Sequence, residues 1–258
     1  MTAPTTRRAW LQAGLTTAVG LAAASCDKLT QSPRVNATLD GAEALNRRLH
    51  GLFVGRSALA REYDRSAISP DFRANGTTNP DSEEYQALAA GGFADWRLQI
   101  GGLVERPLSL SLAELRAAPA RSQITRHDCV EGWSSIAQWR GARLGPLLER
   151  AGLKPQARYI AFFCADTLEL TLDGSGDYYE TIAIADAFHP QTILAYEMND
   201  AILPVAHGAP IRLRLERQLG YKMAKYVMRI EAIDSFETLG RGRGGYWEDR
   251  GYQWYAGI

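Results

Sequence analysis

Ser122-Gln123-Ile124-Thr125-Arg126-His127-Asp128-Cys129-Val130-Glu131-Gly132-Trp133-Ser134 is the stretch on which the reading of this chain turns. Residues 122–125 predict a strand, and Gly132-Trp133-Ser134 predicts the turn that follows. Cys129 stands between them, beside His127, Asp128 and Glu131, an unusual place for an inert cysteine. Arg126 close by favours thiolate over thiol, and a thiolate is what a soft-ligand metal centre or a nucleophilic mechanism requires. Two structural readings stand beside that one. Cys129 is a buried small apolar side chain, or it pairs with Cys164 as a disulfide in an oxidising compartment.

Outward from this stretch the pattern is one of short strands. Trp96 to Ile100 alternates apolar and polar residues before Gly101-Gly102. Further strands are predicted over Tyr159 to Phe163, Thr167 to Leu172, Tyr178 to Ile182, Thr192 to Tyr196, Ile211 to Leu215 and Val227 to Phe236. Ser111-Leu112-Ala113-Glu114 is a capping-box pattern that predicts a short helix stopped by Pro119. Leu144, Leu147, Leu148 and Ala151 share the face of a second helix, which should end at Gly152. Strands outnumber helices and do not alternate regularly with them, so the expected fold is α+β and β-rich rather than doubly wound. The tail carries Tyr246, Trp247, Tyr252, Trp254 and Tyr255 behind a glycine-rich stretch. So many rings imply packing over the domain, or one wall of a substrate funnel or a partner surface.

The 46% hydrophobic content suits a chain that buries a substantial core. Lys plus Arg and Asp plus Glu balance at 29 each, which gives no overall attraction to nucleic acid. Three cysteines without a Cys-x-x-Cys pair make neither a disulfide framework nor a zinc site.

Residues 1–26 are expected to be an export address. Arg7-Arg8 precede Trp10-Leu11 and an apolar, small-residue run from Ala13 to Ser25, resembling a twin-arginine signal, whose route carries proteins already folded. The run is shorter than the roughly 20 residues a membrane span needs. Ala23-Ala24-Ser25-Cys26 resembles a lipoprotein processing site, which would anchor the chain at the inner membrane; ordinary cleavage after Ala22-Ala23-Ala24 is the alternative. Residues 27–68 form an N-terminal extension and 69–258 the main domain. The expected location is periplasmic.

Cys129-Val130-Glu131-Gly132-Trp133-Ser134, with Trp139-Arg140-Gly141 and Leu144 to Leu148 behind it, resembles the cofactor segment of the sulfite oxidase superfamily. Within it the chain is most similar to the periplasmic protein-methionine-sulfoxide reductase catalytic subunits. The resemblance runs from about Ser69 to Phe236. It implies a molybdenum-molybdopterin cofactor with one dithiolene, for which Cys129 supplies the single protein sulfur. It also implies cofactor contacts from Asn75, Thr78 and Asn79, from Cys164, and from His207 and Arg212 in His207-Gly208-Ala209-Pro210-Ile211-Arg212. Met223, Ala224 and Lys225 then match a loop that meets the cofactor phosphate. Arginine suits such a clamp because its guanidinium presents a planar pair of donors. His127 and Glu131 flank the ligand and are candidates for the catalytic pocket.

The activity implied is oxygen-atom transfer, and reduction of small-molecule or protein-bound S-oxide or N-oxide groups is the preferred direction. Sulfite oxidases carry a further C-terminal domain, for which no length remains after residue 236. The alternatives are a sulfite dehydrogenase, or a metal-free exported binding domain with a Cys129–Cys164 disulfide. No Cys-x-x-Cys-His haem motif occurs, so electrons are expected from a haem-bearing membrane subunit or a periplasmic cytochrome.

Overall fold

The computed structural model describes residues 58–258 apart from 173 and 175, together with scattered positions between 32 and 45, of which Arg34, Val35, Thr38, Gly41, Ala42 and Leu45 are helical. The expected signal and the Cys26 processing site lie outside the described residues. Among the described residues no helix is long and apolar enough to cross a membrane.

Ten strands and four short α-helices lie within residues 58–258. The helices are α1 (Glu83–Ala90), α2 (Leu112–Ala117), α3 (Leu144–Ala151) and α4 (Ile184–Ala187). One sheet contains β1 (Arg97–Gly102), β2 (Leu108–Ser111), β5 (Tyr159–Thr167), β6 (Asp177–Ala183) and β10 (Val227–Ile233) in the order β2-β1-β10-β5-β6. Only the β1–β10 pair is parallel. The other sheet contains β3 (Ala120–Asp128), β4 (Ser134–Arg143), β7 (Ile193–Met198) and β8 (Ala201–Ile202), with β9 (Arg212–Arg214) pairing β7. This is the α+β, β-rich architecture the sequence implies.

The two sheets and α3 meet over one apolar core that includes Trp96, Leu98, Leu148, Ile160, Phe162, Leu194, Leu213 and Ile230. Local signals account for the helices. Ser111 accepts from Glu114 N–H while Glu114 accepts from Ser111 N–H, closing the capping box of α2. Gly152 ends α3 in the left-handed region. The predicted strand at Thr167 to Leu172 does not form. β5 ends at Thr167, and Leu170 and Leu172 stand fully exposed in the connection to β6. Alternating leucines imitate a strand there, but no neighbour pairs with them.

Residues 58–69 run along the second sheet. Tyr63 N–H donates to Ile124 O, Ser69 N–H to Ile136 O, and Gln191 bonds both N–H and C=O of Ala60. Residues 58–258 belong to one compact unit.

Candidate active site

β3 and β4 pair in continuous antiparallel register from Ala120↔Ala142 to Asp128↔Ser134, so the residues between them form a tight connection. Cys129 N–H donates to Trp133 O and Gly132 N–H to Cys129 O, which folds the connection back and turns Cys129 towards a cavity of about 420 Å³. Cys129 is 8% exposed, and Asn75 Nδ2 lies 3.9 Å from its Sγ. Burial pushes its thiol pKa up, opposed by the backbone N–H of Glu131. Cys129 and Cys164 are both free thiols, so the alternative resting on their disulfide is not the arrangement found.

The buried end of the cavity is cationic and incompletely bonded. Arg212, 2% exposed, donates from Nη1 to His207 O at 3.1 Å and stacks over Trp139, while its Nε has no partner. Burial and then the neighbouring Arg214 lower its pKa to about 9. Lys225 Nζ reaches only main-chain carbonyls: Asn75 O at 2.7 Å, Thr77 O, and Ala206 O at 3.5 Å. Burial, and then repulsion from Arg212, bring its pKa to about 8. Asp166, 3% exposed, also lines this end, and its Oδ1 is unpartnered. Burial raises its carboxyl to about 6, against the pull of Lys225. Buried polar atoms are nearly always satisfied, so atoms left open on one cavity mark where a ligand completes the bonding.

Two glycines permit this packing. Gly208 has φ +110°, and a Cβ there would lie 2.9 Å from Lys225 Cβ. A Cβ on Gly220 would lie 2.4 Å from the His127 ring. Backbone and side chain thus approach closely on both sides of the 220–225 loop.

Of the residues anticipated from the sequence, Cys129, Glu131, Asn75, Arg212, Met223 and Lys225 line this one cavity. Ala224 is buried behind it, its carbonyl accepting from Leu213 N–H. Thr78 and Asn79 are exposed and outside it; the chain turns at Gly76, so Gly76 and Thr77 face inward instead. Cys164 lines a separate cavity with Phe163 and Arg229 and is not on the lining of this one, although Asp166 and Lys225 lie near enough to act on its thiol. His207 packs edge-on against Phe72 and serves Arg212 through its carbonyl; its imidazole, lowered to about 4 chiefly by burial, is neutral.

His127 is fully buried on the inner face of β3 and does not line the cavity. Arg214 Nη1 donates to its Nδ1 at 3.2 Å, which leaves the ring proton on Nε2. Burial first, then Arg214, Arg212 and Lys225, hold its pKa well below the usual range. A neutral, enclosed ring is a support for the Gly220 loop rather than a proton donor to substrate. Glu131 is exposed at the lip, accepting from Trp133 Nε1 at 3.0 Å.

Sequence reasoning missed Asp166 and Tyr178, and left the role of the tail open. Tyr246, Trp247 and Tyr252 line the cavity. No local motif marks the first two; only the β5–β6 pairing brings them to the site.

The description of an oxidoreductase molybdopterin-binding domain matches residues 87–238. The chain belongs to the molybdopterin-binding oxidoreductase family. YedZ1 of Azospira oryzae, a subunit ascribed to a protein-methionine-sulfoxide reductase, is 36% identical over 97% of this chain and 87% of its own length. The protein-methionine-sulfoxide reductase catalytic subunit MsrP of Xanthomonas axonopodis is 34% identical over 55% of this chain, which spans 46% of that protein. The sulfane dehydrogenase SoxCD of Paracoccus pantotrophus aligns over 55% of this chain and 39% of its own, at TM-score 0.49 and 24% identity.

Membership makes the chain an enzyme of molybdenum-molybdopterin, and the cavity fits that group. A thiol faces it, and two cations without carboxylate partners line its far end, as a phosphate requires. Among the described residues no cluster of His, Cys, Asp and Glu could hold a metal by itself. A metal at Cys129 would therefore depend on ligands carried by a cofactor.

Proposed function

We propose that this protein reduces S-oxide groups, methionine sulfoxide among them, by oxygen-atom transfer, with electrons supplied by a separate carrier. The observation that carries the reading is the cavity's polarity: its lining joins Cys129 to the buried Arg212 and Lys225 and to the exposed Glu131 and Glu169. Arg212 and Lys225 are the only cations lining it among the described residues; at the lip Arg73 lies 4.0 Å from Glu131 and Arg250 bonds Glu169, so an anion such as sulfite meets paired carboxylates rather than a free cation. A neutral S-oxide enters without that opposition. The names of the similar reductase subunits from Azospira and Xanthomonas support the same direction.

When bound, the cofactor supplies two-electron oxygen-atom chemistry. Cys129 is its protein sulfur ligand, and Asn75 positions that sulfur through the amide contact at 3.9 Å. Arg212 and Lys225 hold the phosphate, joined by the main chain of the loop carrying Met223 and Ala224. His127 fixes the Gly220 end of that loop, and Glu131 borders the entrance. Export by the twin-arginine route to the periplasm, a lipid anchor at Cys26, and a haem-bearing membrane subunit or cytochrome as electron donor complete the proposal. A cofactor inserted in the cytoplasm survives only a route that carries the folded chain.

Metal analysis and turnover test it together. The wild-type protein should carry near-stoichiometric molybdenum, and Cys129→Ser should lose at least about a hundredfold in sulfoxide reduction, as expected when a metal ligand is replaced. Reduced protein should act on methionine sulfoxide and dimethyl sulfoxide. Turnover of sulfite by oxidised protein, with no sulfoxide reduction, would overturn the proposal.

A further inference from the structure

The entrance of the cavity has a chemistry of its own. Exposure rises from the buried Arg212 and Asp166 to Val130 at 43% and Tyr252 at 39%, which marks the side from which a substrate reaches Cys129. Besides Val130 and Glu131, the lining carries a cluster of aromatic rings. Trp247 stacks on Tyr252 with centroids 5.3 Å apart, Tyr252 meets Tyr221 edge-on at 5.1 Å, and Tyr246 meets Trp247 edge-on at 5.2 Å.

This wall is fixed from behind. Lys222 Nζ bonds Glu248 Oε1 and Glu180 Oε1, each at 2.5 Å, which ties the residue after Trp247 to β6. Tyr246 N–H donates to Tyr179 O, and Arg250 lies over the Tyr246 ring while bonding Glu169 at 2.7 Å. Asp249 accepts from the Tyr179 hydroxyl and from the N–H groups of Arg241 and Arg243. A stretch held at so many points presents its rings at little ordering cost when a ligand arrives.

We infer that Trp247 and Tyr252 form a specificity subsite that seats the hydrocarbon arm of a carbon-rich sulfoxide beside Cys129, favouring a methionine-sulfoxide side chain over the smallest S-oxides and N-oxides. The inference rests on the reductase reading above. Aromatic faces suit the polarizable sulfur and the methyl and methylene groups flanking it, and these contacts persist in the thioether product. Dimethyl sulfoxide and trimethylamine N-oxide carry only methyl groups and bury fewer carbons against these rings.

The test compares wild-type holoenzyme with Trp247→Ala, Tyr252→Ala and Trp247→Phe, using N-acetyl-methionine sulfoxide amide, dimethyl sulfoxide and trimethylamine N-oxide. For the methionine sulfoxide, KM should rise about tenfold in each alanine variant with kcat within about twofold, and phenylalanine should restore most of the loss. For the two small substrates both constants should stay within about twofold. Titration with N-acetyl-methionine amide should perturb the wild-type tryptophan fluorescence, and that change should shrink in Trp247→Phe. Equal losses on all three substrates, or loss of molybdenum from the variants, would make the wall a scaffold or cofactor contact and overturn the inference. So would a wild-type enzyme that favours neither class while still reducing dimethyl sulfoxide, and there the reductase function would stand. Reduction of no sulfoxide at all would remove both.

Discussion

Lys222 and Lys225 stand three residues apart in one loop, and their surroundings are opposite. Lys222 is fully buried between two carboxylates, each 2.5 Å from its Nζ, and their charge raises its pKa despite burial. Lys225 has no carboxylate in bonding reach, donates only to main-chain carbonyls, and is pressed down to about 8 by burial and Arg212. The first is saturated by carboxylates of the protein itself and belongs to the fold. The second is left open and belongs to a ligand. The same contrast separates the two arginines of β9. Arg214 is held bidentately by Glu216 at 2.9 and 2.7 Å, whereas Arg212 keeps an unpartnered Nε on the cavity.

The largest effect is expected at Lys222. Lys222→Met leaves Glu180 and Glu248 buried with no cation between them, and removal of one partner from such a network costs about 3–5 kcal/mol. At that size the melting temperature should drop by about 10 °C at pH 7.5. The loss should be smaller near pH 5, because the orphaned carboxyls take up protons more readily there. A melting temperature unchanged at both pH values would show that the triad does not hold the fold.

Asp166 sharpens the open side of the comparison, and its sign is opposite. Its folded value of about 6 lies above its ordinary 3.8, so the favourable contribution is fully present below pH 3.8 and is lost as pH rises through 6. Above that the folded, cofactor-free protein carries a poorly solvated carboxylate at a penalty of about 2–3 kcal/mol. Asp166→Asn should therefore stabilise cofactor-free protein by about 2 kcal/mol at pH 7 and leave it nearly unchanged at pH 4, in urea melts. Destabilisation at pH 7 would mean that the carboxylate is satisfied after all.

How much of this was legible in the sequence follows from how local each signal is. The box at Ser111 and Glu114 and the stop at Gly152 are contained within a few residues, and both helices formed as read. β4 was not predicted: Ala137 to Arg140 alternate as a strand should, but Ser135 puts a polar residue on the buried face and Ile136 an apolar one on the other, and the strand is fixed by its register with β3 and β7. At the site, Cys129, Asn75, Arg212, Met223 and Lys225 were legible through the family resemblance. Thr78 and Asn79, named with them, are exposed outside the cavity, where a positive-φ turn at Gly76 sets Gly76 and Thr77 on the lining, a choice that no pattern along the chain records. Asp166, Tyr178 and the triad of Lys222, Glu180 and Glu248 were not legible. Their meaning depends on groups from different elements meeting in space, which no spacing along the chain records.

Lys225→Met tests the open side directly. Cofactor-free protein should change little, within about 1 kcal/mol, since the cost of burying the lysine's charge offsets its bonds to Asn75 O and Thr77 O and its attraction to Asp166. Molybdenum retained after desalting should fall about tenfold, the loss expected of one charge-assisted phosphate contact. A large loss of stability with cofactor retained would place Lys225 with Lys222, in the fold.

The smallest effect is expected where charges are paired but wet. Arg65 bonds Asp200 and lies 3.0 Å from Gln138 Oε1, and both charged side chains are about half exposed or more. Water solvates either ion once the other is removed, so neither a buried charge nor an open bonding site results. Arg65→Ala should change stability by no more than about 0.5 kcal/mol and leave cofactor content untouched. A larger loss would require residues 58–69 to be pinned to β4 through this pair rather than through the main-chain bonds at Tyr63 and Ser69. Raising the salt concentration separates the two cases: a loss carried by the ion pair shrinks with ionic strength, and one carried by main-chain bonding does not.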